Sequence, residues 1–170
     1  MNNNWALIGL GFISKRHIDA IKEVGDELYM TCDVDPRKNP DFTDWVEMFH
    51  SEKFKEVDNV AICTPSYLHG VMAREAMLLG KAVLCEKPLT IFNDFEGLAK
   101  VNSVLQLRYN EKVRGLNLKR GSRVSITVKI YRNENYWKSW KGDKSKSGGI
   151  LLNMGIHYID LLMFLLGNPK

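Results

Sequence analysis

The turn that begins at Gly9 constrains the fold most. Trp5-Ala6-Leu7-Ile8 is a short apolar run of strand character, followed at once by Gly9-Leu10-Gly11-Phe12-Ile13-Ser14. A segment from His17 to Val24 comes next, in which Ile18, Ile21 and Val24 recur at helical spacing. Strand, glycine turn and helix in that order open a dinucleotide-binding α/β unit. Gly9 permits the tight turn, Gly11 lets the backbone approach a pyrophosphate, and the amides at the helix start, around Phe12 and Ile13, stabilise its charge. Ser14 stands where such motifs carry a third glycine. That position controls helix-to-strand packing, and a small serine is tolerated there.

A second strand, Leu28-Tyr29-Met30-Thr31-Cys32-Asp33, ends in an acid about 20 residues beyond the glycines, where such folds hold the adenosine ribose. A carboxylate accepts hydrogen bonds from the ribose hydroxyls and repels the extra phosphate of NADP, so Asp33 points to NAD. Asp35 competes for this role, with turn capping as its other use. Further strand-like runs follow at Asn59 to Cys63, Lys81 to Cys85 and Ser103 to Leu107, separated by helical patterns such as Tyr67 to Leu79, which ends at Gly80. Asp44 to His50 and Asn93 to Asn102 read as shorter helices. The alternation predicts an α/β fold built on a Rossmann-type parallel sheet over residues 1–108. From Ser122 the pattern changes: Val124, Ile126, Val128 and Ile130 alternate with polar residues, predicting an amphipathic strand from Arg123 to Arg132. An aromatic, polar loop and an apolar helix from Ile150 to Leu166 complete a reduced C-terminal α+β portion over 109–170.

Composition fits a cytoplasmic enzyme. The net charge is +4, with basic residues dispersed apart from a local concentration between Lys138 and Lys146, which gives a nucleic-acid role little support. The N-terminus has no basic leader, and the apolar stretch Leu161 to Leu166 is too short to cross a bilayer. Cys32, Cys63 and Cys85 sit in apolar strand-like runs without metal-ligand spacing, so they read as packed, reduced thiols, and no metal site is expected.

Two titratable groups suit proton transfer. Glu86-Lys87-Pro88 follows the apolar run Ala82 to Cys85, and a lysine at the end of a buried strand loses hydration, which lowers its pKa towards working pH. The second is His157, in Gly155-Ile156-His157-Tyr158-Ile159-Asp160. With Asn153 four residues earlier and Asp160 three later, it belongs to one helix face. Thr64 and Pro65 follow a strand end, where parallel sheets place their ligands. His69 serves either helix packing or the cofactor pocket, Glu86 either the nicotinamide region or a neighbouring base, and His17 reads as structural. Arg108, Lys138 and Lys141 are candidates for a substrate carboxylate or pyrophosphate, with Trp137 or Trp140 stacking on a ring. A solvated loop is the alternative for this segment.

Gly9-Leu10-Gly11, Cys63-Thr64-Pro65 with His69, Glu86-Lys87-Pro88 and Gly155 to Asp160 together resemble the Gfo/Idh/MocA oxidoreductases in order and spacing. Leu105-Gln106-Leu107-Arg108 and Tyr136 to Asp143 look most like the branch of UDP-N-acetylglucosaminuronate 3-dehydrogenases. The resemblance implies that Lys87 and His157 lie beside the nicotinamide and a sugar hydroxyl that becomes a ketone, one of them accepting the hydroxyl proton. Which of the two is the base stays open. Many members carry aspartate where this chain has Asn153, which supplies no negative charge but still orients an imidazole or a sugar hydroxyl, as in the uronate-sugar branch. Members also have a longer C-terminal domain, so the resemblance implies an abbreviated member, and the apolar helix with its amphipathic strand predicts a homodimer or higher homo-oligomer. The expected ligands are NAD and a small sugar or nucleotide sugar, with no nucleic acid and no membrane. The rival reading is a dinucleotide-binding or assembly protein of the same descent without effective turnover.

Overall fold

The computed structural model describes residues 2–116, 118 and 122–167 and divides them between two compact units, Met1–Ser103 and Val104–Lys170, against a boundary after residue 108 expected from the sequence. In the first unit five parallel strands, β1 (Asn4–Ile8), β2 (Glu27–Cys32), β3 (Asn59–Ile62), β4 (Ala82–Cys85) and β5 (Asn102–Ser103), form one sheet in the order β2-β1-β3-β4-β5. Its core is Ala6, Ile8, Met30, Val60, Ile62 and Val83 from the strands, packed with Met48, Phe49, Phe54, Met72, Ala73 and Ala76 from the crossovers. These strands read as continuous apolar runs because both faces of a parallel sheet are covered. The helices are α1 (Ser14–Glu23), α2 (Trp45–His50), capped by the Asp44 carboxylate on the Val46 amide, and α3 (His69–Leu78).

The chain leaves β1 to one side for β2 and to the other for β3, so the strand order reverses between β1 and β3. Open α/β sheets bind their ligands in the crevice at such a reversal, outside the carboxyl ends of the strands. Two sequence expectations fail in this unit. Of the run Ser103 to Leu107 only Ser103 pairs, next to Asn102, before the chain turns into a 3-10 helix, Gln106–Tyr109. The helix expected over Asn93 to Asn102 is absent, replaced by turns, because Gly97 takes a left-handed φ of 71° that interrupts any helical run.

The second unit has short helices α4 (Glu111–Arg114), α5 (Glu134–Lys138) and α6 (Lys144–Ser147), then a π turn, Leu151–Gly155, leading into α7 (Ile156–Leu166). The expected strand from Arg123 to Arg132 forms no ladder among the described residues, since pairing needs a second strand and none is described in this unit. Burial here is inverted. Ser147, Asn153 and Asp160 are buried, whereas Ile150, Leu151, Ile159, Phe164 and Leu166 are exposed, and among the described residues no hydrophobic side chain of the unit is buried. The helical run Lys144–Leu166 spans 23 residues and is long and apolar enough to cross a membrane by length and composition, longer than the Leu161 to Leu166 stretch weighed from the sequence.

Candidate cofactor and catalytic site

The glycine turn is locked by packing at one end and open at the other. Gly9 has φ of 93°, its amide donates to the Cys32 carbonyl at 2.8 Å, and a Cβ there would lie 2.8 Å from the carbonyl carbon and oxygen of Cys63. Only glycine lets the end of β1 approach the end of β3 so closely. At Gly11 a Cβ would meet no atom within 4 Å, so the missing side chain serves the space beyond the backbone rather than internal packing. Phe12 is 91% exposed, and Ile13 stands at the N-cap of α1 with no side-chain cap and no acidic residue in the first turn. An uncapped helix start next to an open glycine backbone fits a dinucleotide pyrophosphate. Ser14 does more than replace a glycine: its hydroxyl donates to the Gly11 carbonyl at 2.6 Å and fastens the turn to the helix.

Asp33 is buried at the end of β2, and its carboxylate is already engaged. Oδ2 accepts from the Leu10 amide at 2.6 Å and from Lys38 Nζ at 2.8 Å, while Oδ1 accepts from the Asp35 amide at 2.9 Å. Burial opposes its charge, but Lys38 and the two amides outweigh it and hold the carboxyl below its ordinary pKa. Asp35 takes the capping role: it accepts from the Arg37 amide and forks onto the Arg37 guanidinium at 2.8 Å from both Nε and Nη2.

His69 is fully buried and joins the two loops that follow β3 and β4. Its Nδ1 is 2.7 Å from the Pro88 carbonyl and its Nε2 is 2.8 Å from the Thr64 carbonyl, while Pro65 caps the intervening 3-10 turn. Both partners are acceptors, so a neutral ring donates to one of them and only the imidazolium serves both. Burial is the stronger influence and pulls the ring's pKa below its ordinary value. A group whose folded pKa is depressed stabilises above its unfolded value, about 6.5 for histidine, and that contribution is lost as pH falls through the folded pKa. Thermal unfolding followed from pH 7.5 to 5 is therefore expected to show a falling midpoint that His69→Gln flattens, with a loss of about 1–3 kcal/mol at pH 7.5 from the broken clamp. Identical pH slopes in the two proteins would contradict this assignment.

The loop after β4 carries Glu86 and Lys87, with a cis Lys87–Pro88 peptide. Glu86 Oε1 lies 3.0 Å from His17 Nε2, with side chains 12% and 10% exposed, and Glu86 Oε2 accepts weakly from the Lys87 amide at 3.3 Å. Burial opposes the Glu86 charge, but the hydrogen bond and charge of His17, with Lys87, outweigh it and keep the carboxyl below its usual range. His17, read from the sequence as structural, thus ties α1 to the loop after β4. Its signal was missing because its partner is 69 residues away. Lys87 is half-buried at the carboxyl end of the sheet. Cys32, Cys63 and Cys85 are free and buried, the Cys32 thiol being pushed up to about 12 by burial and the other two raised further, which leaves them protonated and unreactive. Among the described residues no cluster of His, Cys, Asp or Glu could hold a metal ion.

In the second unit the guanidinium of Arg108 forms a two-pronged pair with the buried carboxylate of Asp160, Nε donating to Oδ2 at 2.7 Å and Nη2 to Oδ1. Arg108 was expected to meet a substrate anion; here its fork is committed to α7. Lys138 pairs with Glu134 on the exposed face of α5. Lys141 lies over the Tyr136 and Trp140 rings, and the Trp137 indole donates to the Arg132 carbonyl. Asn153 is buried in the π turn and His157 half-buried one turn later. An apolar cleft of about 510 Å³ runs between the segment at Ile126, Val128 and Ile130 and the helix at Leu151, Tyr158 and Leu162. Of the expected substrate residues only Trp137 lines it, and its apolar walls do not suit a charged sugar.

Residues 3–112 match the oxidoreductase family model described as an NAD-binding Rossmann fold, and residues 121–170 match the C-terminal alpha/beta domain of the same family. The chain belongs to the Gfo/Idh/MocA oxidoreductase family. NAD is the cofactor of that family's nucleotide-binding domain. The WlbA (WbpB) dehydrogenase of Thermus thermophilus, solved with NAD and alpha-ketoglutarate, is 33% identical with a TM-score of 0.81, over 98% of this chain and 63% of that one. The same enzyme has been solved with NAD and UDP-GlcNAcA, at 32% identity and a TM-score of 0.80. Glucose-6-phosphate 3-dehydrogenase of Bacillus subtilis is 26% identical over 94% of this chain and 52% of its own length. The 2,7-anhydro-N-acetylneuraminate hydratase of Escherichia coli is 25% identical over 96% of this chain and 50% of its own. The chain therefore spans about half the length of these curated relatives. The apolar run Lys144–Leu166 falls inside the C-terminal domain match.

Proposed function

We propose that the chain binds NAD and transfers a hydride between a hydroxyl-bearing sugar carbon and the nicotinamide, with nucleotide sugars as the favoured substrate class. One observation carries this reading: the Gly9 turn, the Thr64-Pro65 loop and the Lys87 loop stand at the carboxyl ends of three adjacent parallel strands, β1, β3 and β4, with His69 bridging the last two. NAD supplies the hydride acceptor when bound. Lys87 or His157 takes the hydroxyl proton as the carbon is oxidised to a ketone, and Asn153 orients the imidazole or a neighbouring sugar hydroxyl. Lys138, Lys141, Trp137 and Trp140 are the candidates for the sugar and its phosphates; Arg108, held by Asp160, acts instead to brace α7. The relatives include both a dehydrogenase and a hydratase, so the reaction is chosen by the two proton-transfer groups rather than by the family match.

Partners and compartment belong to the same proposal. The exposed apolar face of the second unit supports association with further copies of the chain. Three reduced, buried thiols support a cytoplasmic setting. Lys138 and Lys146 are paired with Glu134 and Asp143, which reduces the positive charge available to nucleic acid, and the Arg108–Asp160 pair on the apolar helix argues against a bilayer location. A second reading, a dinucleotide-binding protein without turnover by itself, is favoured by the absence of buried hydrophobic side chains among the described residues of the second unit. NAD titration followed by absorbance on adding a panel of nucleotide sugars and free polyols separates the two. NADH formation with one sugar class supports the first reading, and tight NAD binding with no turnover across the panel supports the second.

A further inference from the structure

Two cations follow Asp33, and the turn treats them differently. Asp35 caps the 3-10 helix Pro36–Lys38 and holds the Arg37 fork, so Arg37 faces solvent, 88% exposed at its side chain. Asn39 ends the turn in the left-handed region with φ of 51°, and Lys38 reaches back to Asp33 with its side chain 39% exposed. The ammonium rests on Asp33 Oδ2 at 2.8 Å, the oxygen that also accepts the Leu10 amide of the glycine turn.

We propose that Lys38, together with Asp33, sets the discrimination between NAD and NADP, and that its ammonium makes the adenosine-ribose site tolerant of a 2′-phosphate. This deepens the cofactor reading above and rests on it. A bare carboxylate at the end of β2 would accept both ribose hydroxyls and repel a phosphate on either. Here the carboxylate has three donors within the fold, two backbone amides and one cation, so its charge is partly neutralised before any ligand arrives. The ammonium carries three N–H groups, of which one meets Asp33, so two remain for oxygens arriving from the open side. They would donate to a ribose hydroxyl of NAD and, more strongly, to the phosphate oxygens of NADP. Arg37 does not substitute for it, because its planar fork is held by Asp35.

The test is equilibrium binding, which needs no sugar substrate. Dissociation constants for NAD and NADP are measured by calorimetry on the full chain, on Lys38→Met and on Lys38→Arg, at low and moderate salt, with circular dichroism as a fold control. The unmodified chain is expected to bind both dinucleotides with a preference for NAD of about tenfold or less. Lys38→Met is expected to weaken NADP by about tenfold or more and NAD by less, so that the preference for NAD rises by about threefold or more, a range that allows for the partial exposure of the pair. Lys38→Arg should restore NADP binding, and the salt dependence of NADP binding should be shallower in Lys38→Met than in the unmodified chain. An NAD-to-NADP ratio unchanged within about twofold in a folded Lys38→Met would overturn the role of Lys38 while leaving the NAD site intact. Failure of the unmodified chain to bind either dinucleotide would overturn both.

Discussion

Lys87→Ala and His157→Ala are each expected to lower the rate of NAD reduction by about a hundredfold or more while leaving NAD affinity within about threefold. Oxidising a hydroxyl carbon requires the O–H proton to leave as the hydride departs, and a positioned base typically contributes about 10²–10⁴ to such a step. Lys87 follows β4 at the carboxyl edge of the sheet, where the ligands of parallel sheets gather. His157 comes from α7, whose Asp160 is pinned by Arg108, so the imidazole is presented on a braced helix. The pH dependence of the two variants assigns the roles: the variant lacking the base loses the acidic limb of its rate profile, the fall in rate as that base is protonated, and the other keeps it. Normal turnover in both would place the chemistry elsewhere.

The second large effect separates the two glycines of the turn. Gly9→Ala places a methyl group 2.8 Å from the backbone carbonyl of Cys63 and 2.9 Å from the Thr64 amide, at a φ that L side chains rarely adopt. Those backbone atoms have little room to move, because the Cys63 amide is bound to the Ile8 carbonyl at 2.8 Å. Left-handed backbone strain costs about 1–2 kcal/mol, and forced overpacking adds about 1–3 more. A chain of this size should then lose roughly 5–15 °C of thermal midpoint. Gly11→Ala meets nothing inside the protein and should melt normally, but should weaken NAD by about tenfold or more, because its methyl group occupies the approach to the pyrophosphate. Normal melting of Gly9→Ala, or unchanged NAD affinity in Gly11→Ala, would contradict the reading of this turn.

Local pattern carried much of the fold. The buried strands β1 to β4 and helices α2 and α3 were legible because parallel-sheet strands are apolar runs and their crossovers carry helical periodicity and caps. What local pattern could not show was pairing over distance. Leu105 and Leu107 have the apolar character of a strand, yet the ladder on β4 ends at Ser103. The segment from Arg123 to Arg132 alternates as a strand should, but a strand exists only beside a neighbour. Asp33 was legible as an acid at a strand end, while Lys38 on its carboxylate depended on a turn whose shape Asp35 and Asn39 set. The pairings of His17 with Glu86 and of Arg108 with Asp160 were not legible for the same reason: the partners are 69 and 52 residues apart.

The most direct test of hydride transfer is isotopic. The chain is incubated with NAD and a nucleotide sugar carrying deuterium on its ring carbons, and the reduced cofactor is analysed by mass spectrometry. The account predicts NADH that carries one deuterium from the sugar, with its formation suppressed in Lys87→Ala and His157→Ala. Tight NAD binding with no labelled NADH from any nucleotide sugar or polyol would contradict it and leave a dinucleotide-binding protein without turnover.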